Sequence, residues 1–305
     1  MSTEDDTKTQ RSGYVALVGR PNVGKSTLLN RLLGQKISIT SARPQTTRHL
    51  LLGIRTDGAD QLIFVDTPGL HGGEKRALNR VMNRAARSVF ADVDIVCMLV
   101  EAQRWSEDDA RVLDLLDGAR GRRVLVINKA DRVRPRELLL PFMDACSRRA
   151  EFDAIVPISA KDGENVDALL GVLRERLPEA PHLYGEDEVT DRSERFLVAE
   201  IVREKLVRRL GDELPHQLAV EIERWNEGNE GDDAVHIHVA VLVERDSQRA
   251  IVIGQGGSRL KQVGIDARRD VETLLERHVR LELWVKVRGG WSDDDRMLRR
   301  LGLSE

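Results

Sequence analysis

One short stretch near the N-terminus combines the residue types that bind phosphate. Gly19 and Gly24 have four residues between them, and Lys25 and Ser26 follow directly. Glycines let backbone N–H groups approach oxygen atoms closely, a lysine supplies positive charge for the β- and γ-phosphates, and a serine hydroxyl can bind Mg²⁺. The pattern therefore predicts a nucleotide-binding loop formed by Gly19, Arg20, Pro21, Asn22, Val23, Gly24, Lys25, Ser26 and Thr27.

Two later motifs indicate which base is selected. Asp131 ends the motif Asn128-Lys129-Ala130-Asp131, and its carboxylate can accept hydrogen bonds from N1–H and the 2-amino group of guanine, donors that adenine lacks. A backbone N–H near Ala160 can donate to the guanine O6. GTP and GDP are therefore the predicted ligands, contacted by Asn128, Lys129, Asp131, Ser159, Ala160 and Lys161. On this interpretation, Asp131→Asn shifts the preference towards xanthine nucleotides.

A further motif, Asp66-Thr67-Pro68-Gly69, follows an apolar run and completes the predicted nucleotide site. Asp66 is expected to hold Mg²⁺ together with Ser26, and the N–H of Gly69 is expected to meet the γ-phosphate and to be released on hydrolysis. The polar stretch 36–48 should supply one threonine to Mg²⁺ in the GTP state. We favour Thr47, and the sequence does not decide between Thr47 and Thr46.

The residue after Gly69 is Leu70, where many GTPases carry a glutamine that orients the attacking water. Unaided hydrolysis is therefore expected to be slow. The carbonyl of Asn22 could help to hold a monovalent cation such as K⁺ beside the phosphates, or Asn22 could only brace the loop, and the sequence leaves both open. The predicted catalytic residues are Lys25, Thr47, Asn22 and Gly69.

These motifs need a scaffold that brings them together. Apolar, β-prone runs alternate with helical patterns up to Leu177, which predicts an α/β domain with a mostly parallel sheet. Asp57-Gly58 predicts a hairpin and hence one antiparallel edge strand. We predict a disordered tail at 1–12, a GTP-binding domain at 13–177, a linker at 178–195 and a second domain at 196–305.

The second domain has the element order helix, strand, strand, helix, glycine loop, helix, strand. Its last helix is predicted from Ser258 to Glu276 with a break near Gly264. This order is that of a type II KH domain, an α+β fold whose glycine loop clamps about four single-stranded nucleotides. Residues 250–291 carry eight Lys and Arg against five acids, which suits nucleic acid. The predicted RNA-binding residues are Ile253, Gly254, Gln255, Gly256, Gly257, Ser258, Lys261, Arg268 and Lys286.

Length, charge and apolar content limit the classes of protein to which the chain can belong. The chain has 305 residues, a net charge of −3 and 32% charged residues, and no apolar stretch approaches 18 residues. Such a chain is expected to be a cytoplasmic monomer, and no signal-peptide pattern is visible in 1–12. Cys97 and Cys146 lack zinc-binding spacing and are predicted to be buried thiols.

Both halves together resemble the Era family of bacterial ribosome-assembly GTPases, from about Gly13 to Leu303. The resemblance also rests on Gln45-Thr46-Thr47-Arg48-His49, on the stretch 189–195 and on 281–287. It implies a GTPase that binds the 3′ end of 16S rRNA through the KH domain and assists maturation of the 30S subunit. It also implies peripheral contact with the inner face of the cell membrane, for which the sequence offers no mechanism. Gln255 and Gly256 depart from the family pattern, which often has a lysine there.

Two other functions are compatible with parts of the sequence. Leu70 would suit an RNA chaperone that binds GTP with negligible hydrolysis, and phosphate release in the presence of RNA separates the two. A tandem-GTPase relative with a protein-binding KH-like domain would need a second phosphate loop, and the sequence contains a single such motif.

We predict that GTP orders 36–48 and 69–74 and thereby shifts the KH domain to an RNA-accepting arrangement.

Overall fold

A computed structural model describes residues 9–41, 46–68, 92–210, 218–228 and 233–301. Among these, residues 9–35, 50–68 and 92–191 form one compact unit. Residues 36–41, 46–49 and the described residues from 192 onwards form a second unit. The described residues of the 36–49 segment, 36–41 and 46–49, thus group with the second unit, although their sequence neighbours on both sides belong to the first.

The first unit contains a six-stranded sheet with the order β2-β3-β1-β4-β5-β6. β2 is antiparallel to β3 at one edge, and every other neighbouring pair is parallel, as predicted. Buried parallel strands form from apolar runs because both faces of the sheet are covered. The strands are β1 (Arg11–Val18), β2 (Leu51–Asp57), β3 (Asp60–Asp66), β4 (Ile95–Glu101), β5 (Arg122–Asn128) and β6 (Ala154–Pro157).

Four α-helices are described in this unit: α1 (Lys25–Leu33), α2 (Glu107–Leu115), α3 (Leu139–Ser147) and α4 (Val166–Arg174). α1 starts directly after Gly24 and buries Leu28, Leu29 and Leu32, so the helix is fixed against the sheet at the end that follows the phosphate loop. α2 begins with a capping box in which Ser106 accepts from the backbone N–H of Asp109 and Asp109 accepts from that of Ser106.

The boundaries differ from the predicted ones. β1 already begins at Arg11, inside the predicted tail, while 1–8 lies outside the described residues. Most of the predicted linker belongs to the first unit, because the side-chain carbonyl of Gln61 accepts from the N–H groups of Leu183 and Tyr184 at 2.8 and 3.0 Å. The N–H of Ile54 also donates to Val189 at 2.8 Å. The second unit resumes at 192.

The second unit has a three-stranded sheet with the order β7-β8-β9, in which β7 is antiparallel and β9 parallel to β8. This is the predicted type II KH arrangement. Helices and apolar side chains such as Val235, Ile237 and Val239 fill one face of the sheet. The elements are α5 (Glu194–Leu210), β7 (Leu218–Asn226), β8 (Val235–Val243), α6 (Asp246–Ile253), α7 (Ser258–Leu275), β9 (Val279–Val287) and α8 (Asp295–Arg300).

The predicted break near Gly264 is wrong, since α7 runs through it without interruption. A Cβ added at Gly264 would lie 3.5 Å from Leu283 of β9, an ordinary van der Waals contact, so helix and strand pack against each other at this position. The packing around it offsets the low helix propensity of glycine. Both predicted buried thiols are buried, and burial raises the pKa of Cys97 to about 12 and that of Cys146 to about 11.

Candidate functional sites

The phosphate loop between β1 and α1 accepts only glycine at positions 19 and 24. Gly19 has φ +150° and Gly24 has φ +104°. A Cβ at Gly19 would lie 2.6 Å from the carbonyl oxygen of Leu99, and one at Gly24 would lie 2.3 Å from the side-chain nitrogen of Asn128. Both the backbone conformation and the space therefore exclude larger residues. Pro21 and Asn22 form the tip, where Asn22 is exposed with φ +64°, and Thr27 lies in the first turn of α1.

Lys25 lies buried inside this loop. Its ammonium donates to the carbonyl of Gly19 at 2.9 Å and to that of Arg20 at 3.2 Å, and only 6% of the residue is exposed. Burial lowers the pKa of Lys25 to about 8, an effect that Asp66 opposes and the charge of Arg20 reinforces. The ammonium therefore lies at the position where phosphate oxygens would contact the loop.

The residues predicted to hold Mg²⁺ in the first unit lie together. The hydroxyl of Ser26 donates to the carboxylate of Asp66 at 2.8 Å, and Asp66 is fully buried at the end of β3. Thr67 fixes the following turn by donating to the carbonyl of Leu17 at 2.9 Å, and Pro68 is buried beside it. A hydroxyl and a carboxylate are hard oxygen ligands that fit Mg²⁺, which would supply charge neutralisation at the phosphates.

The other predicted residues around the phosphates lie either outside the described residues or in the second unit. Gly69 and Leu70 lie outside the described residues. Thr46 and Thr47 belong to the 36–49 segment of the second unit, where the carbonyl of Thr46 accepts a hydrogen bond from Arg203. The choice between Thr46 and Thr47 as a Mg²⁺ ligand stays open.

Asn128, at the end of β5, joins three loops of the nucleotide site. Its amide NH₂ donates to the carbonyl of Val23 in the phosphate loop at 2.7 Å, and its oxygen accepts from the N–H of Ala160 at 3.0 Å. Asn128 is 2% exposed, so these bonds are protected from water. The N–H of Ala160 itself is therefore engaged by Asn128. Ser159 is fully buried and Lys161 is exposed, on the same loop.

The loop after Asn128 presents Lys129 and Asp131. Lys129 has φ +64°, a conformation that non-glycine residues rarely adopt, and Asp131 lies partly exposed in the short 3₁₀ turn Ala130–Arg132. The ammonium of Lys129 lies 3.1 Å from the carboxylate of Glu101. The side chain is thus anchored at its tip, which leaves its aliphatic part to cover a base.

Sequence reasoning missed two carboxylates next to the phosphate loop. The guanidinium of Arg20 lies 3.0 Å from Glu101 and 3.2 Å from Asp109, and Arg20 is 8% exposed. The side chain of Arg20 is therefore occupied by protein carboxylates, which leaves its backbone for the ligand. The signal available in the sequence was the position of Glu101 at the carboxyl end of an apolar strand.

In the second unit, a groove of about 330 Å³ lies beside the glycine loop, between α7 and β9. Gly254, Gly256 and Gly257 all have positive φ, at +71°, +59° and +77°. Gln255 and Ser258 are exposed next to them, and Ile253 ends α6 on the core side. The groove is lined by Gly257, Leu260, Lys261, Gly264, Ile265, Arg268, Leu281 and Leu283.

Lys261 and Arg268 were predicted to bind RNA, and they lie at this groove. Lys286 does not, because the side chains of a strand alternate between faces and Leu281 and Leu283 are those that face the groove. The Lys286 ammonium instead pairs with Glu223 at 2.5 Å. The apolar lining residues were missed, although their spacing on α7 repeats every three to four residues.

The 36–49 segment is bonded to the helices of the second unit. Lys36 lies 2.6 Å from Glu204 on α5 and 2.7 Å from Asp270 on α7, and Glu204 is fully buried. Arg208 donates to the carbonyl of Thr40 at 2.9 and 3.0 Å. Burial opposes the charge of Lys36, yet the bonds to Asp270 and Glu204 raise its pKa above the ordinary value.

No cluster of three or more His, Cys, Asp or Glu side chains suited to a metal ion occurs among the described residues. Within the same residues, no helix is long and apolar enough to cross a bilayer.

Comparison with known proteins assigns both units. A family model described as 50S ribosome-binding GTPase matches residues 14–129, and a KH domain model matches residues 213–292. GTPase Era of Pseudomonas savastanoi pv. phaseolicola is 51% identical over 301 residues, which cover 99% of this chain and 99% of that protein. GTPase Era of Pasteurella multocida is 51% identical over 302 residues, which cover 99% of this chain and 98% of that protein.

Two solved structures resemble the chain over its length. One is Era in complex with MgGDPNP and nucleotides 1506–1542 of 16S ribosomal RNA, at 38% identity and a TM-score of 0.93, covering 97% of this chain and 100% of that one. The other is an Aquifex aeolicus Era variant bound to GDP·AlF₄⁻, with the same identity, TM-score and coverage. These full-length similarities, together with the phosphate loop and the KH sheet, show that the chain belongs to the Era family of GTPases.

Proposed function

We propose that this GTPase binds the 3′ end of 16S rRNA in the groove beside its glycine loop and assists assembly of the 30S subunit. The observation that carries the proposal is the groove itself, which has an apolar floor and two basic residues, Lys261 and Arg268. Unpaired bases bind to apolar surfaces while cationic side chains track the phosphates. A family member was solved with nucleotides 1506–1542 of 16S rRNA, which supports the same ligand for this chain.

The test measures RNA affinity by fluorescence anisotropy with a labelled single strand that carries the 3′-terminal sequence of 16S rRNA. The variant Lys261→Ala/Arg268→Ala should bind about tenfold more weakly, because two phosphate contacts are lost, and the salt dependence of binding should become shallower. Lys286→Ala is the matched control, since it removes a cation of the same unit outside the groove. Equal losses in both variants would place the RNA elsewhere, and equal binding of a scrambled strand would remove the 16S assignment.

For the nucleotide site, we propose that Lys25 binds the β- and γ-phosphates, that Ser26 and Asp66 hold Mg²⁺ and that Asp131 selects guanine. This is supported by the bond between Ser26 and Asp66 and by the buried ammonium of Lys25. We further propose that the carbonyl of Asn22 at the exposed tip of the loop helps to hold K⁺. A hydrolysis rate that is unchanged when Na⁺ replaces K⁺ would remove that role and leave Asn22 as a brace.

We also propose that GTP controls RNA binding through the 36–49 segment. The segment carries both candidate Mg²⁺ ligands, Thr46 and Thr47, and its Lys36 contacts Asp270 on α7, the helix that lines the RNA groove. A ligand shifts an equilibrium only as far as it binds the two states differently. The wild type should therefore bind RNA with different affinities in the presence of a non-hydrolysable GTP analogue and of GDP.

Lys36→Met should bring these two RNA affinities together, because it removes both ion pairs and keeps the aliphatic side chain. Arg148→Met, at the exposed position directly after α3, is the control and should keep the wild-type ratio. An unchanged ratio in Lys36→Met would contradict this route while leaving RNA binding and GTP binding intact.

The second candidate is an RNA chaperone with negligible hydrolysis, which Leu70 favours because leucine cannot orient water. Multiple-turnover phosphate release decides between the GTPase and the chaperone: turnover that stays near zero with the 3′ RNA and 30S subunits present would support the chaperone.

We propose a cytoplasmic monomer with peripheral contact to the inner membrane face. Sedimentation of the purified protein and fractionation of cells test both statements.

A further inference from the structure

Glu101 lies at the carboxyl end of β4, in register with Asn128 at the end of β5. Its carboxylate contacts basic side chains from two different loops. It lies 3.0 Å from Arg20 of the phosphate loop, 3.1 Å from Lys129 of the base loop and 3.7 Å from Arg132, which follows that loop. With 18% of its side chain exposed, Glu101 is far from fully solvated, so these contacts are only weakly screened.

Arg20, one of these three partners, also pairs with a second carboxylate. Arg20 also contacts Asp109 at 3.2 Å, and Asp109 accepts from the N–H and the hydroxyl of Ser106 at 2.9 and 2.7 Å. The capping box of α2 therefore fixes Asp109, and Asp109 fixes Arg20. The Lys129 ammonium, by contrast, makes its ion pair with Glu101 alone among the described residues. Besides Asn128, Glu101 is thus a second link between the base loop and the phosphate loop, and it acts through side-chain charges.

Both ends of this link reach ligand-binding atoms. The carbonyl of Arg20 accepts from the Lys25 ammonium at 3.2 Å, so the arginine that Glu101 holds also positions the phosphate lysine. At the other end, Lys129 has a backbone with φ +64° and a side chain stretched towards Glu101. An ion pair at its tip restricts the rotamers of this long side chain before any base arrives, which removes part of the entropy cost of binding.

We propose that Glu101 is a positioning residue that couples the phosphate loop to the base loop, so that the phosphate and guanine ends of the nucleotide bind to one preorganised surface. Burial by itself would raise the pKa of Glu101, but Lys129 and Arg20 outweigh it and hold the pKa below its ordinary value. Glu101 is therefore charged at neutral pH, and the charge is what the variant should remove.

The experiment compares Glu101→Gln, Lys129→Met and the double variant with the wild type, by measuring the affinities for GDP and IDP and the rate of GDP release. Glu101→Gln should weaken GDP about tenfold and speed its release, because charged hydrogen bonds are lost while shape is kept. IDP lacks the 2-amino group that Asp131 would bind, so the ratio of GDP to IDP affinity should stay at the wild-type value. The double variant should lose little more than either single variant, since both remove the same link.

Asp117→Asn is the matched control, because Asp117 is an exposed carboxylate that lies 3.8 Å from Arg123 and away from both loops. It should keep the wild-type affinity. A merely structural role would lower the melting temperature of Glu101→Gln and leave the affinities and the release rate unchanged, which overturns the proposal. A changed GDP-to-IDP ratio would also overturn it, since Glu101 would then act on the base edge. Additive losses in the double variant would show that Glu101 and Lys129 act independently.

Discussion

The two glycine loops of this chain, at 19–24 and 254–257, differ in how closely other atoms surround them. The phosphate loop follows the buried strand β1 and precedes α1, whereas the second loop follows the short helix α6 and precedes α7. Around the phosphate loop, side chains from distant elements close in, and an added Cβ at Gly24 would lie 2.3 Å from Asn128. Around the second loop, by contrast, no described atom lies within 4 Å of a Cβ added at Gly256 or Gly257.

The difference matches the two kinds of ligand. A triphosphate is small and densely charged, and a loop that is already braced by Asn128, Lys25 and Arg20 meets it without reorganising. An RNA strand is long and flexible, and an open loop beside a groove can contact successive nucleotides. Glycine therefore permits a tightly packed, rigid loop in the first unit and a loop that RNA can approach in the second.

The largest expected effect comes from filling the closed loop. Gly24→Ala should lower GDP affinity about a hundredfold or more, because the methyl group meets the Asn128 amide and alanine rarely adopts φ +104°. Titration with a fluorescent GDP derivative measures the loss. Gly34→Ala is the control, with φ +72° and no described atom within 4 Å, and it should cost about 1 kcal/mol of stability without affecting GDP. Similar GDP losses in both variants would contradict the steric account.

The closed loop should also respond to pH. With its pKa lowered to about 8, Lys25 loses its proton above that pH in the free protein, whereas a bound phosphate favours the charged form. GTP affinity should thus be constant below pH 8 and fall about tenfold per pH unit above it, with uptake of a proton on binding. Calorimetry in two buffers of different ionisation enthalpy measures the uptake. Binding at pH 9 with no proton uptake would show that Lys25 is already charged.

In the open region, a small substitution should separate stability from RNA binding. Gly264→Ala places a methyl 3.5 Å from Leu283, an ordinary contact, and should stabilise α7 by up to about 1 kcal/mol. Because Gly264 lines the groove, the same methyl should weaken RNA binding severalfold. Thermal unfolding and anisotropy measure the two quantities. If stability rises and RNA affinity stays the same, bases do not reach this part of the groove.

The smallest effect is expected in the second glycine loop itself. Gly256→Ala meets no described atom within 4 Å, so only its φ of +59° is unfavourable, at about 1 kcal/mol. RNA affinity should fall about fivefold or less. Gly254→Ala should be worse, since its Cβ would lie 2.7 Å from the Cβ of Arg259. The reverse order would mean that RNA approaches the backbone at Gly256 so closely that an added methyl group blocks it.

The sequence predicted what local patterns determine. The motifs around Lys25, Asp66 and Asn128 lie at one edge of the predicted sheet. These features depend on periodicity and on strand–loop–helix order, which are both local in the chain.

What the sequence did not predict depends on contacts between distant residues. Gln61 binds Leu183 and Tyr184 more than 120 positions away, which turns a Pro- and Gly-containing stretch into part of the first unit. Gly264 does not break α7, because Leu283 packs against it. Lys286, by contrast, lies outside the groove, and the alternation of side chains along β9 that separates it from Leu281 and Leu283 is visible in the sequence.

The membership of the 36–49 segment has a practical consequence for dissecting the protein. A C-terminal fragment that begins at 192 would contain every strand of the KH sheet, yet it would lack Lys36, the partner of the fully buried Glu204. It would also leave the backbone carbonyl of Leu218 without the guanidinium of Arg48, which donates to it at 2.8 Å. An isolated KH fragment therefore lacks contacts that the KH unit has in the whole chain. The melting temperature and RNA affinity of the fragment should differ from those of the unit in the intact protein.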